Sequence, residues 1–195
     1  VPILREGELD IISHSPEQTY RLGVHLGALI GPGDVILLSG DMGAGKTMFA
    51  AGIGKGWGAH DPVTSPTFTL VHMHSRAADA MHLYHLDCYR LRDAAEAETI
   101  GLDDILNGRD AALFEWPEHI ADALPDEHLY IALHALEPTR RNLVFTAHGA
   151  RYRALLGRFS APMPAPASPP PRTAARTRAG GRTTGRLSGT EPLKK

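Results

Sequence analysis

Apolar positions follow two rhythms along this chain. Leu22, Leu26, Leu29 and Ile30 recur at helical spacing. They follow Ser15-Pro16-Glu17-Gln18, which supplies an N-cap, a proline at the first helical position and a capping-box glutamine. This predicts a helix up to about residue 30, stopped by Gly31-Pro32-Gly33. Val35-Ile36-Leu37-Leu38 is instead a continuous apolar run, as expected of a parallel strand buried on both faces. A glycine-rich turn and a second helix, residues 45–57, follow it. Residues 8–13 read as a short strand, and 68–74 and 81–86 as strands around a polar turn at 76–79. Residues 93–100 look helical and acidic, Ala111-Ala112-Leu113-Phe114-Glu115 is another short buried strand, and 129–136 with 143–148 form a late antiparallel pair. The class expected is α/β: central parallel strands with antiparallel additions, flanked by helices. No internal repeat is visible.

The pattern stops near Phe159. Residues 161–171 read APMPAPASPPP, in which repeated prolines fix φ and remove donors, favouring an extended chain. Residues 172–195 are rich in Arg, Gly and Thr and have almost no large apolar side chains to offset the entropy of ordering. The expected organisation is one domain over 1–159 and a disordered Pro/Arg-rich tail over 160–195. Charge divides at the same place. Residues 1–159 hold 13 Lys/Arg against 21 Asp/Glu, and residues 160–195 hold 7 against one, Glu191. An acidic body argues against tight nucleic-acid binding by the body itself. The tail reads either as a basic arm for RNA or a linker, or as a solvated segment with no role. A single cysteine, Cys88, excludes an internal disulfide. No apolar run approaches the roughly 20 residues that cross a bilayer, and residues 1–10 lack the features of a signal peptide. The expectation is a cytoplasmic protein with no membrane partner.

The chemistry is concentrated after the first buried strand. Gly40-Asp41-Met42-Gly43-Ala44-Gly45-Lys46-Thr47 fits G-x-x-x-x-G-K-[ST] completely, between a strand and a helix. The glycines let successive backbone N–H groups turn inward as an anion nest. The helix N-terminus adds partial positive charge. Lys46 is placed to reach the outer phosphates of a nucleoside triphosphate, and the Thr47 hydroxyl to ligate Mg²⁺. The sheet is therefore of P-loop NTPase type. A reaction also needs a carboxylate at a neighbouring strand end, to hold the metal or orient water. Glu115 and Asp87 both end strands and are candidates, Glu115 the stronger because its strand resembles a Walker B strand; the alternative reading of each is a surface carboxylate at a strand end.

Four words occur in order: LSGDMGAGKT from Leu38, VTSPTFTLV from Val63, YHLDCYRL from Tyr84 and FEWPE from Phe114. Together they resemble the TsaE family of bacterial P-loop ATPases, from about residue 15 to 149. The resemblance implies an ATP- and Mg²⁺-dependent ATPase, slow alone and dependent on partners. It implies a requirement for threonylcarbamoylation of adenosine 37 in tRNAs reading codons that begin with A. The implied partners are the TsaD–TsaB pair, with tRNA engaged indirectly through that complex. Carried over residue by residue, Asp41, Met42, Gly43, Ala44, Gly45 and Lys46 would wrap the phosphates, with Thr47 and Glu115 on the metal. Asp87 would serve catalysis or a switch, joining Lys46 and Glu115 as catalytic residues. Thr64, Ser65 and Thr67 would form a loop sensing the terminal phosphate, and Trp116 would lie beside the nucleotide. Glu17 and Arg140 stand where the family contacts the nucleotide. Met48 departs from the family's usual second threonine.

Other residues keep two readings. Three hydroxyls around Pro66 suit a phosphate sensor or a plain polar loop. Trp116 suits a nucleotide cover, a partner anchor or a packing aromatic. Arg140 and Arg141 lie between two late strands, where an arginine could reach phosphate or simply decorate a loop. All eleven histidines lie in the body; His72, His74 and His82 read as solvated or packed, while His85 is the one placed to shape the site. Cys88 reads as an inert small residue. The alternative function is a small-metabolite or nucleotide kinase on the same loop. Residues 92–110, where its lid would fall, are acidic, with Arg92 and Arg109 only at the edges.

Overall fold

A computed structural model describes residues 7–66 and 69–161. Thr67, Phe68 and the Pro/Arg-rich segment from residue 162 onward lie outside the described residues. Seven strands form one mixed sheet: β1 (Glu8–Ser13), β2 (Val35–Ser39), β3 (Val71–Ser75), β4 (His82–Asp87), β5 (Ala111–Glu115), β6 (His128–Ala135) and β7 (Arg141–His148). Their order is β1-β7-β6-β2-β5-β4-β3. The central β6, β2, β5 and β4 are parallel, while β1 and β7 on one side and β3 on the other add antiparallel. This is the expected α/β architecture.

β2 is buried on both sides, and its residues alternate between two cores. Ile36 and Leu38 face α1 (Pro16–Gly27), α2 (Lys46–Trp57) and α5 (Ala150–Ser160). Val35 and Leu37 face a thinner layer containing α3 (Ala94–Thr99), α4 (Leu102–Ile105) and the 3₁₀ segments Cys88–Arg90 and Pro117–Ala123. A period of two along a strand produces this division.

α1 and α2 meet along glycines. A Cβ on Gly56 would stand 1.9 Å from the Val24 carbonyl oxygen, and one on Gly27 would stand 2.0 Å from that of Ile53. Only hydrogen fits at such a seam, which fixes where α2 begins relative to α1.

Besides α4 and the two 3₁₀ segments, to which the sequence reading assigns no element, three elements differ from the sequence expectation. α1 ends at Gly27, because Leu29 and Ile30 turn back to the carbonyls of Leu26 and Gly27. β3 begins at Val71 rather than 68: the amides of Thr69 and Leu70 both bond to the Pro66 carbonyl, and Leu70 is left-handed at φ 64°. Residues 150–160, given no element by the sequence reading, form α5, which buries Tyr152, Leu155, Leu156 and Phe159. The Tyr152 hydroxyl accepts the Val35 amide at 2.7 Å, and Arg151 pairs with Asp34 at 2.8 Å, so α5 holds the start of β2.

Candidate functional site

Three C-terminal strand ends converge at one edge of the sheet. β2 runs into the glycine loop, β4 ends on Asp87 and β5 ends on Glu115. Register places Glu115 beside both Leu38 and Asp87. In open α/β sheets this edge is where ligands bind.

The loop owes its shape to residues without side chains. Gly40 has φ 136°, and a Cβ there would lie 2.2 Å from the Leu133 carbonyl oxygen. Gly45 caps α2 at φ 105°, with no side chain bonded to the helix start. The first amides of α2 thus open on the loop, as anion binding requires.

A cavity of about 330 Å³ lies against the loop, lined by Met42, Gly43, Gly45, Lys46 and Thr47 on one side. Asp87, Glu115 and Trp116 line the other, joined by Ser65, Tyr89 and Met48. Lys46 donates to the carbonyls of Gly40 and Asp41, the latter at 3.0 Å. Its ammonium also lies 3.6 Å from the centre of the Trp116 ring, a cation–π contact. Burial pulls the Lys46 pKa below its ordinary value, against the opposing pull of Glu115, Glu118, Asp87 and Asp41. The Thr47 hydroxyl donates to Glu115 Oε2 at 3.3 Å. Glu115 is only 2 % exposed, and its Oε1 lies 3.0 Å from Nε2 of the wholly buried His85. Asp87 accepts from the Ser65 hydroxyl at 3.2 Å and from the Tyr89 amide at 3.1 Å.

Trp116 occupies left-handed backbone at φ 59°. For a bulky residue this costs on the order of 1 kcal/mol or more. The Trp116 amide bonds to the Leu38 carbonyl at 3.1 Å, and Tyr89 packs on the indole at 5.0 Å between ring centres. The strained turn sets the indole over Lys46.

A second cavity, about 190 Å³, adjoins the first and shares Gly45 and Met48 with it. Pro16, Thr19, Thr139 and Arg141 complete its wall. Of the residues predicted for the site, Glu17 and Arg140 line neither cavity, although their chain neighbours do. Glu17 is exposed on the first turn of α1, its carboxyl held below the usual range by Ser15. Arg140 pairs with Glu137 at 2.9 Å. Asp41 meets Lys46 through its carbonyl, Ala44 is buried under the loop, and Thr67 lies outside the described residues.

Of the two arginines that the sequence offers between the late strands, Arg141 rather than Arg140 is the one that reaches the glycine loop. Its guanidinium donates to the carbonyls of Ala44 at 2.9 Å and Gly43 at 3.3 Å, and to Glu137 at 2.7 Å. It ties the β6–β7 turn to the outer rim of the loop. Arg140, in the turn before β7, is taken up by Glu137, so only one of the two neighbouring arginines reaches the loop, and sequence does not say which.

A loop of this shape, fed by a buried strand and closed by a helix whose lysine and hydroxyl face two strand-end carboxylates, defines a P-loop nucleotide-binding protein. Comparison with known proteins narrows the class. Residues 13–143 match the family model described as threonylcarbamoyl adenosine biosynthesis protein TsaE. The chain belongs to the TsaE family. It is 39% identical over 146 residues to the tRNA threonylcarbamoyladenosine biosynthesis protein TsaE of Bacillus subtilis, covering 75% of this chain and 90% of the relative. The protein of the same name from Treponema pallidum is 36% identical over 133 residues, covering 68% of this chain and 96% of the relative. The crystal structure of Bacillus subtilis YdiB superposes with a TM-score of 0.67 at 34% identity, covering 78% of this chain and 94% of that one.

Proposed function

We propose that this chain takes part in tRNA threonylcarbamoyladenosine biosynthesis as a Mg²⁺-dependent ATPase. It acts in the cytoplasm as an accessory subunit for threonylcarbamoylation of adenosine 37 in tRNAs reading codons that begin with A. The transferase it serves is TsaD with TsaB, and tRNA is met through that complex. The observation that carries the reading is the convergence of Lys46, Thr47, Glu115 and Asp87 on one cavity beside the glycine loop.

The two adjoining cavities suit the two ends of a nucleotide. Phosphates fit beside Lys46, and the nucleoside end fits between α1 and Arg141. Thr47 Oγ1 and Glu115 Oε2, 3.3 Å apart, are hard oxygen donors. They are too few for a closed all-protein cage and suit Mg²⁺ shared with phosphates and water. Bound there, the ion would neutralise charge developing on the transferred phosphoryl group. Asp87 would orient water or switch with Ser65. Among the described residues, no arginine lines the phosphate cavity. That supports slow hydrolysis alone, because transition-state charge lacks a finger until a partner supplies one. The kinase alternative finds less support: α3 and α4 pack on the sheet's second face, and Arg92 pairs with Glu96.

Two measurements test this. Lys46→Ala should weaken ATP binding in calorimetry by on the order of 100-fold, since hydrogen bonds to a charged group are worth about 1.5–3 kcal/mol each. Unchanged affinity refutes the site. Co-purification with TsaD and TsaB, with ATPase assayed with and without them, tests the partnership. No complex and no stimulation would refute it.

A further inference from the structure

We infer that His85 is a positioning residue for the metal carboxylate. This rests on the reading of Glu115 as a Mg²⁺ ligand. His85 lies mid-β4, wholly buried, with Nε2 at 3.0 Å from Glu115 Oε1. Its Nδ1 is buried and has no hydrogen-bond partner among the described residues. The ring therefore spends its one hydrogen bond on Glu115. An ionised carboxylate only accepts, so the proton sits on Nε2 and the imidazole is a donor.

The consequence lies in the other carboxylate oxygen. Glu115 Oε1 is held by His85, while Oε2 is turned to the Thr47 hydroxyl and the cavity. Without the histidine, the carboxylate could rotate about its last bond, and Oε1 would be buried with no donor. Buried acceptors without donors are costly. Ligand carboxylates are oriented by such outer partners, whose loss weakens metal binding. His85 would thus fix the orientation in which Glu115 presents its free oxygen to an ion, while itself lining neither cavity.

The test uses the full chain and reads ADP binding by calorimetry across a Mg²⁺ series and in EDTA. His85→Leu should raise the half-saturating Mg²⁺ concentration roughly ten- to hundredfold. ADP affinity in EDTA should not change. His85→Gln places an N–H near the position of Nε2 and should stay close to wild type. The inference is overturned if H85L keeps the wild-type Mg²⁺ dependence, if H85Q is as impaired as H85L, or if the loss is the same in EDTA. Glu115→Gln separates the two readings. If E115Q leaves Mg²⁺ dependence untouched, the metal assignment fails and the inference falls with it. If E115Q shifts it and H85L does not, the inference alone fails. Nitrogen-15 NMR of the wild-type imidazole decides even where H85L does not fold. An Nε2–H tautomer is expected, and an Nδ1–H tautomer overturns the proposal.

Discussion

Arg141→Ala should loosen the nucleotide grip without touching a residue that faces the phosphates. The guanidinium holds the carbonyls of Gly43 and Ala44 from outside the loop. Pinning those oxygens keeps two peptide planes oriented: the Ala44 N–H, on the plane of the Gly43 carbonyl, closes the turn on the Asp41 carbonyl at 3.1 Å, and the Gly45 N–H, on the plane of the Ala44 carbonyl, is turned away from Arg141. Hydrogen bonds to a charged donor are worth about 1.5–3 kcal/mol each when well shielded. Arg141 is only half-buried, so the low-end sum of about 3 kcal/mol for the two bonds is cut by about half through solvent screening, to about 1.5 kcal/mol. That corresponds to roughly tenfold weaker ADP binding. Calorimetry on the full chain measures it, with thermal melting as a control, because Arg141 also closes the β6–β7 turn through Glu137 and Arg140. Arg141→Lys should recover only part of the loss, since a point charge cannot span two carbonyls as a planar fork does. Wild-type affinity in Arg141→Ala, or full recovery by lysine, refutes the reasoning.

Three further outcomes are expected. Gly56→Ala drives a methyl to 1.9 Å from the Val24 carbonyl; even after the ~1 kcal/mol gain in helix propensity it should cost about 2 kcal/mol, lowering Tm by roughly 5 °C, and an unchanged or raised Tm contradicts the seam. Tyr152→Phe strips the buried Val35 amide of its acceptor, a loss of about 2 kcal/mol that melting curves would show as a Tm drop of similar size; no drop means the bond does not anchor β2. The Cys88 thiol is pushed up to about 12, chiefly by burial, with Asp87, Glu118 and Glu115 adding to it. At pH 8 it therefore stays protonated, and a disulfide reagent should label the unfolded chain but not the native one; prompt native labelling at pH 8 would count against the buried placement.

What could be read ahead depended on how local the cause is. The loop from Gly40 to Thr47 is specified by its own glycines and by the strand and helix beside it, so sequence located it. The two short buried strands ending in Glu115 and Asp87 were legible for the same reason. Their adjacency was not, because register is a property of the whole sheet. His85 and Arg141 act across the fold, 30 and 97 residues from the groups they hold. No periodicity announces such contacts. The helix α5 was readable in principle, since Tyr152, Leu155, Leu156 and Phe159 keep helical spacing. In sequence it directly precedes the proline-rich segment, whose composition set the domain boundary and masked it. The glycines of α1 and α2 are weak helix formers by intrinsic propensity, and only the packed pair shows that their lack of side chains is what the contact needs.

That seam has a reach beyond stability. α1 contributes one wall of the smaller cavity through Pro16 and Thr19, and α2 begins at the lysine of the larger one. With the two helices pressed together at bare backbone, neither can slide without carrying the other. The spacing between the two halves of the pocket is therefore a fixed gauge, cut by the width of a hydrogen atom, against which a ligand's length is measured.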